Sequence, residues 1–213
     1  MPLILPKPGN YEMEEKRSRF LGHCAPVQTV EEAKAFIDDI RALHKDANHN
    51  VFAYSVTEGN IIRFNDDGEP GGTAGMPVLN VFQKAGIIDF VCVVTRYFGG
   101  TLLGAGGLVR AYTKAAKGAM EAANPEELVI IEFYKVTCTY SNLDRVKYNF
   151  EKWGLEVLEW VYTDQCQAVV KVREEQAEVF LEGGGSYGKS YVFELIHKGS
   201  NRSSDRYFNK SSK

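Results

Sequence analysis

The sequence is poor in the residues that most often disclose a function. Of 213 residues, four are Cys, four His, two Trp and seven Pro. Cys24, Cys92, Cys138 and Cys166 lie far apart and form no C-x-x-C, which argues against a zinc knuckle and against a disulfide framework. Cys92 sits in the apolar run of residues 90–94 and reads as a small buried hydrophobe. Reduced thiols with no disulfide partner suit the cytoplasm. No apolar run approaches the ~20 residues of a membrane span. The first residues lack the basic segment and long apolar stretch of a secretory signal. A cytoplasmic protein with no membrane partner is therefore expected. Neither sign of charge dominates: 25 Lys plus Arg against 28 Asp plus Glu leave −3. That excludes a uniformly basic nucleic-acid coat but not a local basic face. H-E-x-x-H and G-x-S-x-G are missing, and no cysteine has a credible base beside it. Enzyme credentials are thin, and no metal or cofactor is expected.

What is present is 44% hydrophobic residues and 20 glycines, enough to build a core. An α+β fold class with two domains is the reading. Residues 11–27 form one or two strands, and a helix follows with Ala33, Phe36, Ile37, Ile40, Leu43 and His44 at spacings of three and four. Thr29 is its expected N-cap. Strands at 51–56 and 61–64 flank Glu58-Gly59-Asn60, a hairpin signal. A turn-rich loop leads to a helix at 76–85. Residues 87–95 are a nearly continuous β-branched run, the pattern of a strand buried on both faces. A helix from about 108 to 123 stops at Asn124-Pro125. Domain one spans 1–130. From 131 to 197 the order β-α-β-β-α-β marks a split βαβ, or ferredoxin-like, domain. Its first helix is expected to open on a capping box of Ser141 and Asp144. Residues 198–213, rich in Ser, Asn and Lys, read as a disordered tail.

The feature with most chemical content is strand, glycine loop and helix across 91–123. Gly99, Gly100, Gly104, Gly106 and Gly107 let backbone N–H groups approach a ligand with no Cβ in the way. The loop opens into a helix N-terminus, where free N–H groups and the macrodipole favour an anion. Arg110, Lys114 and Lys117 recur at four and three, so they share one solvent-facing side, while Arg96 guards the strand end. Phosphate is the natural guest, whether free, on a nucleotide or in RNA. The competing reading is tight strand-to-helix packing with a solvated lysine face. The loop is neither G-x-x-x-x-G-K-[ST] nor G-x-G-x-x-G, which argues against a nucleotide-hydrolysing P-loop. Tyr97 and Phe98, at the mouth, either stack on bases or plug the sheet. A second constellation joins Asp66, Asp67 and Glu69 to His49. It reads either as metal or acid–base chemistry, or as turn chemistry with a structural salt bridge to Arg63 or Arg96.

The residues themselves carry a resemblance. The run from Arg96-Tyr-Phe-Gly-Gly-Thr-Leu-Leu-Gly-Ala-Gly-Gly107 to Leu-Val-Arg-Ala-Tyr112 resembles the signature of the IMPACT family, bacterial YigZ branch. Supporting matches are Lys16-Arg-Ser-Arg-Phe20, Ala47-Asn-His-Asn-Val-Phe-Ala-Tyr54 and Asp66-Asp-Gly-Glu-Pro-Gly-Gly-Thr-Ala-Gly-Met-Pro77. The resemblance implies an N-terminal α/β domain related to a ribosomal-protein domain and to domain IV of elongation factor G. It implies a C-terminal ferredoxin-like domain similar to domain V of that factor. The implied function is translation-associated and regulatory, by RNA or ribosome binding. The alternative is a small-molecule or phosphoester enzyme using His49, Asp67 and Glu69 beside the same loop.

Overall fold

The structure, a computed structural model, describes residues 1–185 and 191–200, with backbone alone for 183–185. Its contacts divide the chain into two units, with the boundary between Glu127 and Leu128.

The first unit begins with β1 (Leu3–Ile4), β2 (Gly9–Glu15) and β3 (Ser18–Pro26). Lys16 and Arg17, with φ of 47° and 66°, turn β2 into β3. Positive φ at both central residues matches the twist of a hairpin, though two long cations stand where Asn-Gly is usual. α1 (Val30–Leu43) starts as expected at Thr29, whose Oγ1 accepts the Glu32 N–H at 3.1 Å. The Glu32 carboxylate in turn accepts the Gln28 N–H at 2.7 Å. β4 (His49–Val56) and β5 (Ile61–Asn65) form the expected hairpin through Gly59 and Asn60, both at positive φ. α2 (Gly75–Lys84), β6 (Phe90–Tyr97), α3 (Ala105–Ala122) and the short β7 (Glu126–Glu127) follow. The sheet runs β2-β3-β6-β4-β5, every pair antiparallel, while β7 pairs with β1.

The apolar run sequence reasoning singled out is thus the central strand. Its alternation splits the core: Cys92 and Val94 pack with residues of α2 and α3, and Val91 and Val93 with residues of α1. α3 lies close on the sheet because its inner stripe is alanine, Ala111, Ala115, Ala116 and Ala119, and because β3 offers Gly22. A Cβ at Gly22 would lie 2.5 Å from the Ala115 carbonyl oxygen.

The second unit contains β8 (Ile130–Cys138), α4 (Leu143–Lys152), β9 (Glu156–Tyr162), β10 (Cys166–Arg173), α5 (Glu174–Gly185) and β11 (Tyr191–Ser200). The order is βαββαβ, in an antiparallel sheet β11-β8-β10-β9. α4 ends on Gly154 at φ 64°, with Leu155 N–H to Phe150 O and Gly154 N–H to Glu151 O, a Schellman closure. Its start differs from expectation. A 3₁₀ turn over Tyr140–Asn142 intervenes, the Ser141 hydroxyl bonds Thr139 Oγ1 at 2.9 Å, and no side chain caps the helix. The first residues of the expected tail differ as well. Lys198 to Ser200 continue β11, where Lys198 bonds Glu132 at 2.8 Å and Glu174 at 2.7 Å. Residues 201–213 of that expected tail lie outside the described residues.

All four cysteines are buried and free. Strand register nevertheless sets them opposite one another in pairs, Cys24 with Cys92 and Cys138 with Cys166. Burial pushes the Cys24 thiol up to about 12, which keeps it protonated and unreactive at neutral pH.

Candidate functional site

The loop after β5 is held by carboxylates. Asp66 accepts the N–H groups of Gly72, Ala74 and Gly75 at 2.8–3.0 Å. Burial alone would raise its pKa, but these three donors carry it below the ordinary carboxylate value. Asp67, at φ 48°, accepts the Asn50 N–H at 2.6 Å through Oδ2 and faces Arg41 at 3.4 Å through Oδ1. Its backbone carbonyl takes a hydrogen bond from His49 Nδ1 at 2.8 Å. So anchored, the loop turns Glu69 inward.

Glu69 is the centre of a buried polar cluster. Its Oε1 accepts Arg96 Nη1 at 2.7 Å and the Tyr112 hydroxyl at 2.7 Å, and His49 Nε2 stands 3.8 Å away. Arg96 is 5% exposed, and Glu69 8%. The structural salt bridge weighed from sequence therefore forms with Arg96, while Arg63 bonds the Ile62 carbonyl. Arg96 Nη2 also reaches Ser18 Oγ at 3.4 Å, and its Nε has no partner among the described residues. Burial and the neighbouring Glu69 carboxylate push the Tyr112 phenol far up, so it remains the donor. Sequence reasoning gave neither Tyr112 nor Ser18 a role in a site, although both stand in the motifs that carry the family resemblance. A buried phenol normally finds a partner, and that was the available signal for Tyr112.

Above this cluster is a cavity of about 390 Å³. Asn48, His49, Glu69 and Arg96 give it polar groups, and Phe98, Leu102, Leu103 and Leu108 give it apolar walls. Gly104 and Ala105 bring the start of α3 to the same space. α3 begins three residues earlier than periodicity indicates because Gly104, at φ 71°, serves as its N-cap with no side-chain bond to the first N–H groups. The loop glycines divide by role. A Cβ on Gly99 would lie 2.0 Å from the Arg17 carbonyl oxygen, and one on Gly107 3.0 Å from Leu103 Cβ. Gly100, at φ 81°, and Gly104 face open space. At Gly106 the nearest atom is Arg110 Nη1, 3.6 Å from the position a Cβ would take. That guanidinium therefore folds back over the first turn of α3. Arg110, Lys114 and Lys117 are all exposed, and Lys117 pairs with Glu121 at 3.6 Å.

Tyr97 and Phe98 part company. Phe98 is 43% exposed at the cavity, with Arg96 5.4 Å from its ring centre. The Tyr97 hydroxyl bonds His44 Nδ1 at 2.9 Å. His44 stacks on His23, ring centres 5.3 Å apart, and Nε2 of both is buried with no partner among the described residues. Burial, then the mutual charge with His44, lowers the His23 pKa; burial, then Arg19, lowers that of His44. Below the ordinary pKa of about 6.5 the unfolded chain thus binds protons that the folded chain refuses. Stability is complete above that pH and falls as pH drops through the depressed folded values. Thermal melts between pH 7.5 and 5.0 are expected to show this decline, and a His23→Asn/His44→Gln variant to flatten it. An unchanged slope in that variant would assign the effect elsewhere.

Among the described residues no three His, Cys, Asp or Glu side chains converge as a metal site, and no helix is long and apolar enough to cross a membrane. Residues 16–120, which hold the whole cluster and the glycine loop, match the family model of the Impact N-terminal domain. Over 182 residues the chain is 37% identical to the IMPACT family member YigZ of Escherichia coli, covering 84% of this chain and 83% of that one. It is 36% identical over 175 residues to the IMPACT family member YvyE of Bacillus subtilis, covering 82% and 81%. A crystal structure described as that of a hypothetical protein superposes with a TM-score of 0.56 at 30% identity, covering 92% of this chain and 97% of that one. The chain belongs to the IMPACT family.

Proposed function

We propose that this IMPACT family member is a translation-associated protein that binds RNA or the ribosome, holding phosphates along α3. One observation carries the reading. Arg110 and Lys114 stand one helical turn apart, exposed and without an ion pair among the described residues, and Arg110 reaches back over the uncapped start of an 18-residue helix. Helix N–H groups, macrodipole and guanidinium then act on the same anion. Lys117 extends the face, since an exposed i,i+4 pair such as its bond to Glu121 is worth only about 0.3–0.5 kcal/mol and exchanges readily. Phe98 adds an exposed ring on which a base can stack. The domain types fit this function. On element and strand order we take the second unit to be ferredoxin-like; that the first is of the elongation factor G domain IV type is what the family resemblance implies.

The test is single-stranded RNA binding by fluorescence anisotropy at several salt concentrations. An Arg110→Glu/Lys114→Glu variant is expected to bind at least about tenfold more weakly. Loss of two phosphate contacts should shrink the log–log salt slope by about 1.4. Native affinity in the folded variant would sink the proposal.

A phosphoester or small-molecule enzyme is the second reading, favoured by His49 and Glu69 meeting at 3.8 Å beside the cavity. Asp67 does not join them, because both its carboxylate oxygens are spent on Asn50 and Arg41.

A further inference from the structure

We infer that the cavity at the start of α3 receives one guanine base of the bound RNA, its N1–H and N2–H edge donating to Glu69 Oε2 and His49 Nε2. This rests on the RNA reading and adds a specificity to it. Two acceptors beside the cavity are unused. Glu69 spends Oε1 on Arg96 and Tyr112, while Oε2 has no donor among the described residues, on a side chain that is only 3% exposed yet borders the cavity. A carbonyl only accepts, so the bond from His49 to the Asp67 carbonyl places the proton on Nδ1. With the hydrogen of an uncharged imidazole on Nδ1, the other ring nitrogen is a bare lone pair, and His49 Nε2 stands 3.8 Å from the Glu69 carboxylate. Two acceptors side by side at the edge of a cavity call for a ligand with two adjacent donors.

Among the bases, guanine alone meets that demand. Its Watson–Crick edge sets N1–H next to N2–H₂, whereas adenine and cytosine place a ring acceptor beside their amino group. Uracil flanks its single N–H with carbonyls. RNA readers take unstacked bases by this edge and stack them on aromatic rings, and Phe98 lies exposed on the same wall. Leu102, Leu103 and Leu108 close the apolar side. At about 390 Å³ the space lies within the ~300–1,000 Å³ range of small-ligand sites. The phosphate of the same nucleotide falls to the α3 terminus and Arg110.

The probe is an oligouridine carrying a single guanosine, compared with oligomers carrying inosine, adenosine or uridine there, each titrated against the native chain. Inosine lacks only the 2-amino group, so it reads the N2–H bond without altering the protein. Guanosine is expected to bind about tenfold tighter than inosine or the other bases, and Glu69→Gln, if folded, to lose that preference. Equal affinity for all four oligomers, with Arg110→Glu/Lys114→Glu still weakening each, overturns the guanine site and leaves the RNA reading standing. Absence of binding to every oligomer overturns both.

Discussion

Glu69→Ala is expected to lower the unfolding free energy by about 3–5 kcal/mol, the cost of leaving a buried charge without its partner. The guanidinium of Arg96 is almost wholly removed from solvent, and its shortest bond, 2.7 Å, is to Glu69. Ser18 Oγ, at 3.4 Å, is too distant and too weakly polar to replace a carboxylate. The same substitution strips the Tyr112 hydroxyl of its acceptor, and an unsatisfied buried hydroxyl adds about 1–3 kcal/mol. The loss is a property of the broken pair, so removing both charges should cost less than removing one. A Glu69→Leu/Arg96→Met variant is accordingly expected to be more stable than Glu69→Ala. Urea denaturation of the three proteins gives the comparison, and a Glu69→Ala loss under about 1 kcal/mol would refute the description of this pair as buried.

The cluster also marks where reading the sequence reached its limit. The central strand was legible because the run 90–94 holds no polar residue and so offers no solvent face. The cationic side of α3 was legible because Arg110, Lys114 and Lys117 follow helical spacing. The meeting of Glu69 with Arg96 and Tyr112 was only partly so, since the partners stand 27 and 43 residues apart. Spacing offered Arg63 and Arg96 equally; the antiparallel pairing of β4 with β6, which sets His49 opposite Arg96, made the choice. Tyr97 and Phe98 could not be told apart as letters. The strand carries Tyr97 to the side of His44, while Phe98, past its end and bonded through its N–H to Asn48, stands at the cavity. The capping box failed because a 3₁₀ turn, invisible to pattern, delayed α4.

Gly99→Ala is the second large effect, an expected loss of about 3 kcal/mol or more, at the top of the ~1–3 kcal/mol range for overpacking. The glycine is not needed for its backbone angle, since its φ is not positive. It is needed because the Arg17 carbonyl group occupies the place of a Cβ, with oxygen at 2.0 Å and carbon at 2.1 Å. Backbone cannot swing aside as a side chain does. Movement there would also disturb Ser18, which accepts the Gly99 N–H at 3.2 Å and touches Arg96. Gly104→Ala provides the contrast: open space, but φ 71° and ψ 164°, a region open essentially to glycine alone, for an expected loss of about 1–3 kcal/mol. Thermal or urea denaturation of both variants separates the two demands. A Gly99→Ala protein as stable as Gly104→Ala would mean that the β2–β3 turn yields.

The central strand β6 has a consequence for how this protein tolerates change in length. Side chains along a strand alternate strictly, so inserting a single residue early in β6 would exchange its two faces beyond that point. Arg96 would then be delivered to the histidine pair and Tyr97 to Glu69, inverting the chemistry on both sides at once. Insertions in the Thr57–Asn60 turn leave every face as it was. Lineages are therefore expected to vary in length at that turn and to hold β6 constant to the residue.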